Sequence, residues 1–204
     1  GNTATATDTR SYTVDTTAPS VTVDIVDAAL NVADTSSNVT FTFSEAPLDF
    51  TDTDISVIGG SLSGLTVDGG NPLLYTATFT ADDGFEGQGS VTIDAGKFTD
   101  AAGNLNYAAT PDTVTIDTLN PTVTAVTASD LMLSDADTGS GTFTLAVTFS
   151  EQMDTAATPL LTFAPDLTGS LANGSGVWSD GDTKYTVTYD VIDNGAELAN
   201  ITVD

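Results

Sequence analysis

The sequence lacks histidine and cysteine altogether, and only three of its 204 residues are lysine or arginine. Without histidine the usual Ser-His-Asp triad is unavailable, and nothing else in the sequence supplies a substrate cleft, so we expect no enzyme. Without cysteine there are no disulfides, so hydrophobic cores alone must hold each domain. Apolar runs approaching about 18 residues are also missing, and we therefore expect no direct membrane insertion.

The charge of the chain is strongly one-sided, because 29 aspartate and glutamate residues give a net charge of −26. A charge this negative argues against binding to nucleic acid or to an anionic membrane. It also opposes compaction unless cations neutralise it. Since 40% of the residues are hydrophobic, the chain can still build cores, and its acidity does not indicate disorder.

One long segment of the sequence occurs twice. Residues 14–23 return as residues 116–125, and the Phe-Ser-Glu of residues 43–45 returns at residues 149–151. A period near 100 residues is the length of one β-sandwich domain and is too long for a solenoid repeat. We therefore interpret the chain as a piece of a tandem repeat array, in which neighbouring domains of the same array are the first expected partners.

Apolar and polar residues alternate over short stretches, which Gly-, Asn- and Asp-rich turns separate. This pattern predicts about seven short strands per repeat, the number found in an immunoglobulin-like β-sandwich. The predicted fold class is therefore all-β, with tandem immunoglobulin-like antiparallel sandwiches. The predicted inward-facing residues include Val21, Val23, Ile25, Val39, Phe41, Phe43, Ile55, Val57, Tyr75, Ala77, Phe79, Val91, Ile93, Val114 and Ile116 in the first repeat, and Phe143, Leu145, Val147, Phe149, Trp178, Tyr185, Val187, Tyr189, Ile201 and Val203 in the second.

The predicted domain boundaries follow from the repeat. Residues 1–17 align with the end of the first repeat and are predicted to be the last strand of a preceding or neighbouring domain. Residues 18–117 are predicted to form a complete domain, and residues 118–204 a second domain that lacks its final strand. Two interpretations stay open: the chain is a piece of a continuous array, or residues 1–17 of one molecule supply the missing strand to an identical chain.

Carboxylates are expected to concentrate at the ends of the predicted sandwiches. In this topology the segment that enters the first strand lies near the BC and FG loops. We therefore predict that Asp15, Glu45 and Asp100 meet at the N-terminal end of the first domain, and that Asp117 meets Glu151 at that of the second. Such clusters repel unless a cation sits among them, and oxygen ligands without histidine or cysteine suit Ca²⁺.

Further candidate Ca²⁺ ligands lie elsewhere in the two repeats. One of them belongs to the opposite end of the first domain, and a group of three belongs to the AB loop of the second repeat, where it could meet Asp190 or Asp193. None of these segments matches the EF-hand pattern. These additional ligands are Asp27 in the first repeat and Asp130, Asp135 and Asp137 in the second.

Several of these segments resemble a known family. They are residues 15–19, the Phe-Ser-Glu of residues 43–45, and Lys-Phe-Thr-Asp-Ala-Ala-Gly-Asn at residues 97–104. Together they resemble the bacterial immunoglobulin-like repeats of giant surface adhesins, the biofilm-associated and RTX-type adhesins exported by type I secretion. The resemblance covers the whole first repeat, and the second repeat resembles a sister type without its end. It implies extracellular extender modules on the bacterial cell surface, often stiffened by Ca²⁺ at linker positions such as Asp15 and Asp117, together with Asp100.

The sequence therefore predicts a Ca²⁺-stiffened extender, or stalk, of a secreted bacterial adhesin, which spans distance for cell adhesion or biofilm formation. Two alternatives remain at this point. The chain could be a self-assembling extracellular fibre subunit, forming a filament by strand exchange through residues 1–17. It could also be a module that binds a glycan or a protein through a surface near Trp178.

Overall fold

A computed structural model describes residues 10–198 and 200–203 of the chain. The chain divides into two compact units, of which the first ends at Asn120 and the second begins at Pro121. Strands dominate both units, as predicted, and the only helical segments in the described residues are single 3-10 turns at Asp52–Asp54 and Asp135–Asp137. No helix in this part of the chain is long and apolar enough to cross a membrane.

The first unit is a sandwich of two four-stranded sheets. One sheet has the order β1-β3-β6-β5 and the other has the order β2-β8-β7-β4. This arrangement corresponds to the ABED and CFG sheets of an immunoglobulin fold, with a short β2 added parallel to β8. The strands are β1 Val21–Ile25, β2 Ala29–Asn31, β3 Ser36–Phe43, β4 Ile55–Ile58, β5 Gly60–Asp68, β6 Asn71–Ala81, β7 Glu86–Ile93 and β8 Asp112–Asp117.

The core of the first unit follows the predicted alternation of apolar residues. Successive side chains of a strand point to opposite faces, so the residues of β1, β3, β7 and β8 that are buried between the sheets alternate with more exposed ones. Phe43 and Phe50 lie at the centre of an aromatic cluster that also includes Tyr75 and Phe98, with edge-to-face ring contacts of 5.0 to 5.6 Å. The predicted all-β immunoglobulin-like class is confirmed.

The second unit has one complete sheet and one short one. The four-stranded sheet has the order β12-β13-β10-β9, which corresponds to the first sheet of the other unit. Opposite it, within the described residues, only β11 and β14 pair, over two residues each. The strands are β9 Val123–Ala128, β10 Gly139–Phe149, β11 Phe163–Ala164, β12 Leu171–Ser179, β13 Lys184–Val191 and β14 Thr202–Val203.

The second core is smaller than the sequence predicts. Phe143, Leu145 and Val191 are buried in it, and Val203 packs against its edge. Ile201, however, is exposed and precedes β14, so its predicted inward position was wrong. The reason is that its segment has no ladder partner that would hold the side chain against the core. Trp178 is half-buried and packs against Tyr185, with ring centroids 4.9 Å apart.

The segment that precedes the first sandwich carries no secondary structure over residues 10–20. Tyr12 and Val14 lie in it with exposed side chains. The predicted strand over residues 1–17 falls partly on residues 1–9, which lie outside the described residues. Asp204, the predicted end of the second repeat, also lies outside them.

Candidate metal site

Three carboxylates from distant parts of the sequence meet at one end of the first sandwich. Oxygens of Asp15, Glu45 and Asp100 all lie within 4.8 Å of one another. Asp15 is exposed, Glu45 is half-buried, and Asp100 is only 1% exposed. The sequence predicts this same set, because the segment that enters β1 lies at the same end of the sandwich as the BC and FG loops.

The FG loop, residues 94–111, holds Asp100 in a fixed orientation. Its Oδ1 accepts hydrogen bonds from the backbone amides of Ala102 and Asn104, each at 2.8 Å, and its Oδ2 accepts one from Asn104 Nδ2 at 2.8 Å. The amide of Gly103 also donates to the Asp100 carbonyl at 3.2 Å. Asp100 is therefore a buried carboxylate whose position is set by its own loop.

A second buried polar residue, Asn106, holds the FG loop together and was not among the residues predicted from the sequence. Its side-chain Oδ1 accepts from the amides of Lys97 at 2.6 Å and Phe98 at 3.1 Å. Its Nδ2 donates to the carbonyls of Asp94 at 2.9 Å and Tyr107 at 2.7 Å. In the sequence Asn106 looks like one more turn asparagine, so only its burial reveals the role.

The segment bearing Asp15 is attached to the FG loop and to the loop that follows β3. Asn104 Nδ2 donates to the Asp15 carbonyl at 3.2 Å, and the Tyr107 amide donates to the carbonyl of the buried Pro19 at 3.0 Å. Ser20 and Ser44 then bond reciprocally, from the Ser20 amide to Ser44 Oγ and from the Ser44 amide to the Ser20 carbonyl, both at 3.0 Å. These bonds bring Asp15 and Glu45 to the FG loop.

The electrostatics of the three carboxylates are unequal. Burial raises the pKa of Glu45, and the neighbouring charges of Asp100 and Asp15 raise it further. Burial also acts to raise the pKa of Asp100. There, hydrogen bonds from the Asn104 side chain and from the amides of Asn104, Ala102 and Gly103 outweigh burial and lower its pKa. The site therefore keeps Asp100 ionised and opposes the ionisation of Glu45.

This donor set fits a hard cation. The cluster offers only carboxylate oxygens, and after burial the negative charges of Asp100 and Asp15 are what raise the pKa of Glu45. Ca²⁺ takes six to eight oxygen ligands in flexible geometry, whereas Mg²⁺ demands a tight octahedron and keeps several waters. Asp15, Glu45 and Asp100 would hold such an ion, and the ion would supply the positive charge that removes their repulsion.

Replacing Glu45 with glutamine is expected to stabilise the cation-free protein progressively as the pH rises. The folded-state pKa of Glu45 lies above its unfolded value of about 4.3, so ionisation of this group opposes folding. Wild type therefore loses stability as the pH rises from about 4 through the raised pKa. Glu45→Gln does not lose this stability, so the difference in free energy of unfolding between the variant and wild type grows with pH and then levels off.

Urea unfolding in chelator over a series of pH values measures this difference. Asp100 has the opposite effect on stability, because its pKa is lower in the folded state than in the unfolded state and its ionisation favours folding. This contribution is fully present above the unfolded-state pKa and is lost as the pH falls through the folded-state pKa. Asp100 is present in both proteins, and because its pKa is lowered whereas that of Glu45 is raised, its own titration falls at more acidic pH than that of Glu45. A Glu45→Gln advantage that stays the same from acid to neutral pH would contradict the assigned repulsion.

The other predicted ligands are placed differently. Asp27 is half-buried, and its amide donates to Ser37 Oγ at 3.0 Å. Asp117, in the first unit, is exposed at the end of β8. Glu151, in the second unit, has a buried Oε1 without a hydrogen-bond partner in the described part of the chain. The metal assignment of Asp27 and the pairing of Asp117 with Glu151 stay predictions.

Glu151 also repeats the local geometry of Glu45. The Thr122 amide donates to Ser150 Oγ at 2.9 Å and the Ser150 amide donates to the Thr122 carbonyl at 2.8 Å, as Ser20 and Ser44 do in the first unit. Ser44 and Ser150, each next to a glutamate, therefore hydrogen-bond to the residue that precedes the first strand of their unit. The orphaned Oε1 of Glu151 is the kind of oxygen that a cation would satisfy.

The carboxylates of the AB loop of the second unit are engaged in local turns. Asp130 Oδ1 accepts from the Met132 amide at 2.9 Å, and Asp137 Oδ2 accepts from the amide and hydroxyl of Ser134. The two Ser134 bonds lower the pKa of Asp137. Asp135 lies in the same 3-10 turn. Among the described residues the three do not form a compact carboxylate group like the one at Asp100, so a metal site there stays a prediction.

Comparison with known proteins identifies the first repeat. The profile of the bacterial Ig-like domain family matches residues 15–116, which include all three carboxylates of the candidate site. Among solved structures, the adhesin InvE of Yersinia pseudotuberculosis is similar at 17% identity over 85% of this chain, with a TM-score of 0.33. The chain spans about half of that adhesin, 51%. No curated protein matches. The chain belongs to the bacterial Ig-like domain family.

Proposed function

We propose that this chain is a Ca²⁺-stiffened extender of a secreted bacterial surface adhesin, with two immunoglobulin-like units that contribute length to an extracellular stalk. The observation that carries the proposal is the cluster of Asp15, Glu45 and Asp100, in which Asp15 belongs to the segment that enters the sandwich. Membership of the bacterial Ig-like family and the absence of histidine support a structural role rather than a catalytic one.

The mechanism follows from where the three ligands are attached. Asp100 is fixed by the FG loop, and Glu45 lies two residues after the end of β3. Asp15 lies outside the sheets, and an exposed hydrogen bond from Asn104 to its carbonyl attaches its segment at this point. When bound, Ca²⁺ would supply a positive charge that attracts all three carboxylates and so offsets their mutual repulsion. The entering segment would then be fixed to the domain, and bending at this point would be limited.

Calcium is expected to raise the thermal stability of the first unit selectively. A ligand that binds only the native state adds about 2.7 kcal/mol at 100 times its dissociation constant. For a domain of roughly 100 residues that corresponds to an increase in Tm of about 10 to 20 °C. Trp178 is the only tryptophan and lies in the second unit, so its fluorescence follows that unit, while circular dichroism follows both.

The experiment compares unfolding in excess Ca²⁺ and in chelator for wild type, Glu45→Gln and Asp24→Asn. Glu45→Gln should lose most of the increase in Tm, whereas Asp24→Asn, which removes an exposed charge on β1, should retain it. Small-angle scattering of wild type should show a longer, stiffer particle in Ca²⁺. An unchanged wild-type Tm, or a full increase in Glu45→Gln, would remove Ca²⁺ at this site from the mechanism.

A further inference from the structure

The sequence contains two Asn-Gly dipeptides, Asn173-Gly174 and Asn194-Gly195, and both lie in the second unit. In such a dipeptide the backbone nitrogen of the glycine can attack the side-chain amide carbon of the asparagine, because glycine has no Cβ to hinder the approach. The product is a succinimide ring, which water opens to aspartate or isoaspartate. The structure surrounds the two dipeptides with different hydrogen bonds, so we expect them to differ in reactivity.

In Asn194-Gly195 the attacking nitrogen has a carboxylate beside it. The dipeptide lies in the exposed loop between β13 and β14, and the Gly195 amide donates to Asp193 Oδ1 at 3.0 Å. A carboxylate in this position can take the proton that the nitrogen must lose. Since the peptide group is planar, the N–H bond lies in its plane, whereas the nitrogen attacks through the face of that plane. The bond to Asp193 therefore does not block the attack.

The side-chain amide of Asn194, which is the electrophile, has two donors on its oxygen. Oδ1 accepts from the Ala196 amide at 3.0 Å and from the Ser170 hydroxyl at 3.4 Å. Both donors draw electron density from the carbonyl, and both can stabilise the negative charge that develops on this oxygen during attack. The Ile192 amide also donates to the Ser170 carbonyl at 2.9 Å, so Ser170 is held beside the loop.

Asn173-Gly174 has the opposite arrangement. It lies within β12, and Asn173 Nδ2 donates to Asp190 Oδ2 at 2.8 Å. This bond fixes the leaving nitrogen and increases its electron density, so the carbon of the amide becomes less electrophilic. The ring of Tyr189 covers one side of Gly174, where an added Cβ would come within 2.7 Å of it. The sheet therefore protects Asn173, although its sequence neighbours also favour the reaction.

We propose that Asn194 is a self-modification site, at which the chain converts its own asparagine into aspartate and isoaspartate without an enzyme. In the first step a bond forms between the Gly195 nitrogen and Cγ of Asn194. The bond from Cγ to Nδ2 breaks, and Nδ2 leaves as ammonia with the proton that the Gly195 amide has lost. In the second step water adds to one of the two ring carbonyls and opens the ring. One water is consumed and one ammonia is released.

The modification would change the loop in two ways. It adds a negative charge next to Asp193, in a chain whose net charge is already −26. Isoaspartate also carries the backbone through the side-chain carbon, which lengthens the main chain between β13 and β14 by one atom. Neither Ca²⁺ nor the first unit takes part, so the inference goes beyond the proposed function and does not rest on it.

The test is peptide mapping by mass spectrometry after the whole folded chain has been incubated at physiological pH and temperature. Asn194 should be converted at least about 10-fold faster than Asn173, because only Asn194 has a base on its nucleophile and donors on its carbonyl. The same chain incubated in urea is the internal reference. Both dipeptides lose their folded surroundings there, and their rates should agree within about 3-fold.

Three variants assign the effect to particular groups. Asp193→Ala removes the carboxylate beside the nucleophile and should slow the conversion of Asn194 about 10-fold. Glu197→Gln is the matched control, since it removes another exposed carboxylate of the same loop, and it should react as wild type does. Asn194→Gln should leave this position unmodified, because its longer side chain would have to close a larger ring. Circular dichroism of each variant verifies that it is folded.

Equal rates at Asn173 and Asn194 in the folded chain would overturn the proposal. So would an Asp193→Ala chain that is converted as fast as wild type, or an Asn194 that reacts more slowly in the folded chain than in urea. Because these rates are measured without Ca²⁺, they are independent of the increase in Tm on which the extender proposal depends.

Discussion

Replacing Asn106 with alanine should destabilise the first unit by about 3 to 5 kcal/mol, because four backbone groups lose their partner at once. The Lys97 and Phe98 amides and the Asp94 and Tyr107 carbonyls all bond to this one side chain, which is 3% exposed. Alanine removes all four bonds together, and the amide of the buried Phe98 loses a partner in the part of the loop that is shielded from solvent. Since the whole unit is expected to be stable by only about 5 to 15 kcal/mol, the loss is large.

Urea unfolding followed by circular dichroism measures this loss, and Trp178 fluorescence shows whether the second unit is affected. Asn71→Ala is the control, because Asn71 is exposed and its side chain accepts one local bond, from the Leu73 amide. Asn106→Ala should also weaken the response to Ca²⁺, since Asp100 lies in the loop that Asn106 holds. If both variants were equally stable, Asn106 would not organise the FG loop.

Phe43→Ala should be as damaging, with a loss of about 3 to 5 kcal/mol in the first unit. Phe43 is 3% exposed and contacts three rings edge to face, those of Phe50, Tyr75 and Phe98, at 5.0, 5.3 and 5.2 Å. Truncation removes the transfer free energy of the ring and leaves a cavity that the two sheets cannot close. The aromatic contacts contribute beyond their buried area.

The repeat supplies a control for Phe43→Ala in the same chain. Phe149 occupies the equivalent position in the second unit, but it is only partly buried and its described ring contact is with Trp178 at 5.7 Å. Phe149→Ala should therefore cost roughly 1 to 2 kcal/mol, less than a fully buried ring. Thermal unfolding of both variants, with Trp178 reporting on the second unit, compares them. Equal losses would contradict the difference in packing.

The fold could be predicted because apolar and polar residues alternate along the strands. In β3 and β8 every buried position is a Val, Ile or Phe, apart from Ser37, and the residues between them are polar, so the sequence shows a clear period of two. The cluster of Asp15, Glu45 and Asp100 could be predicted for a related reason. Once strand order is known, the loops that share one end of the sandwich are known as well.

Other residues could not be interpreted from the sequence. Asn106 and Thr118 lie in loop-like stretches, and only their burial separates them from solvated turn residues. Asp137 looks like a ligand in the sequence, but its carboxylate bonds to Ser134 in a local turn. Short-range bonds of this kind compete with any long-range role, and spacing alone does not reveal which one a side chain adopts.

The parallel pairing of β2 with β8 also determines how the first unit resists tension. The chain enters the sandwich through β1 and β2 and leaves through β8. Pulling the two ends apart moves Ala29–Asn31 and Thr115–Asp117 in opposite directions along their shared ladder. The hydrogen bonds are then sheared together rather than opened one after another. A force applied to the two ends of the first unit would thus load this three-residue ladder in shear.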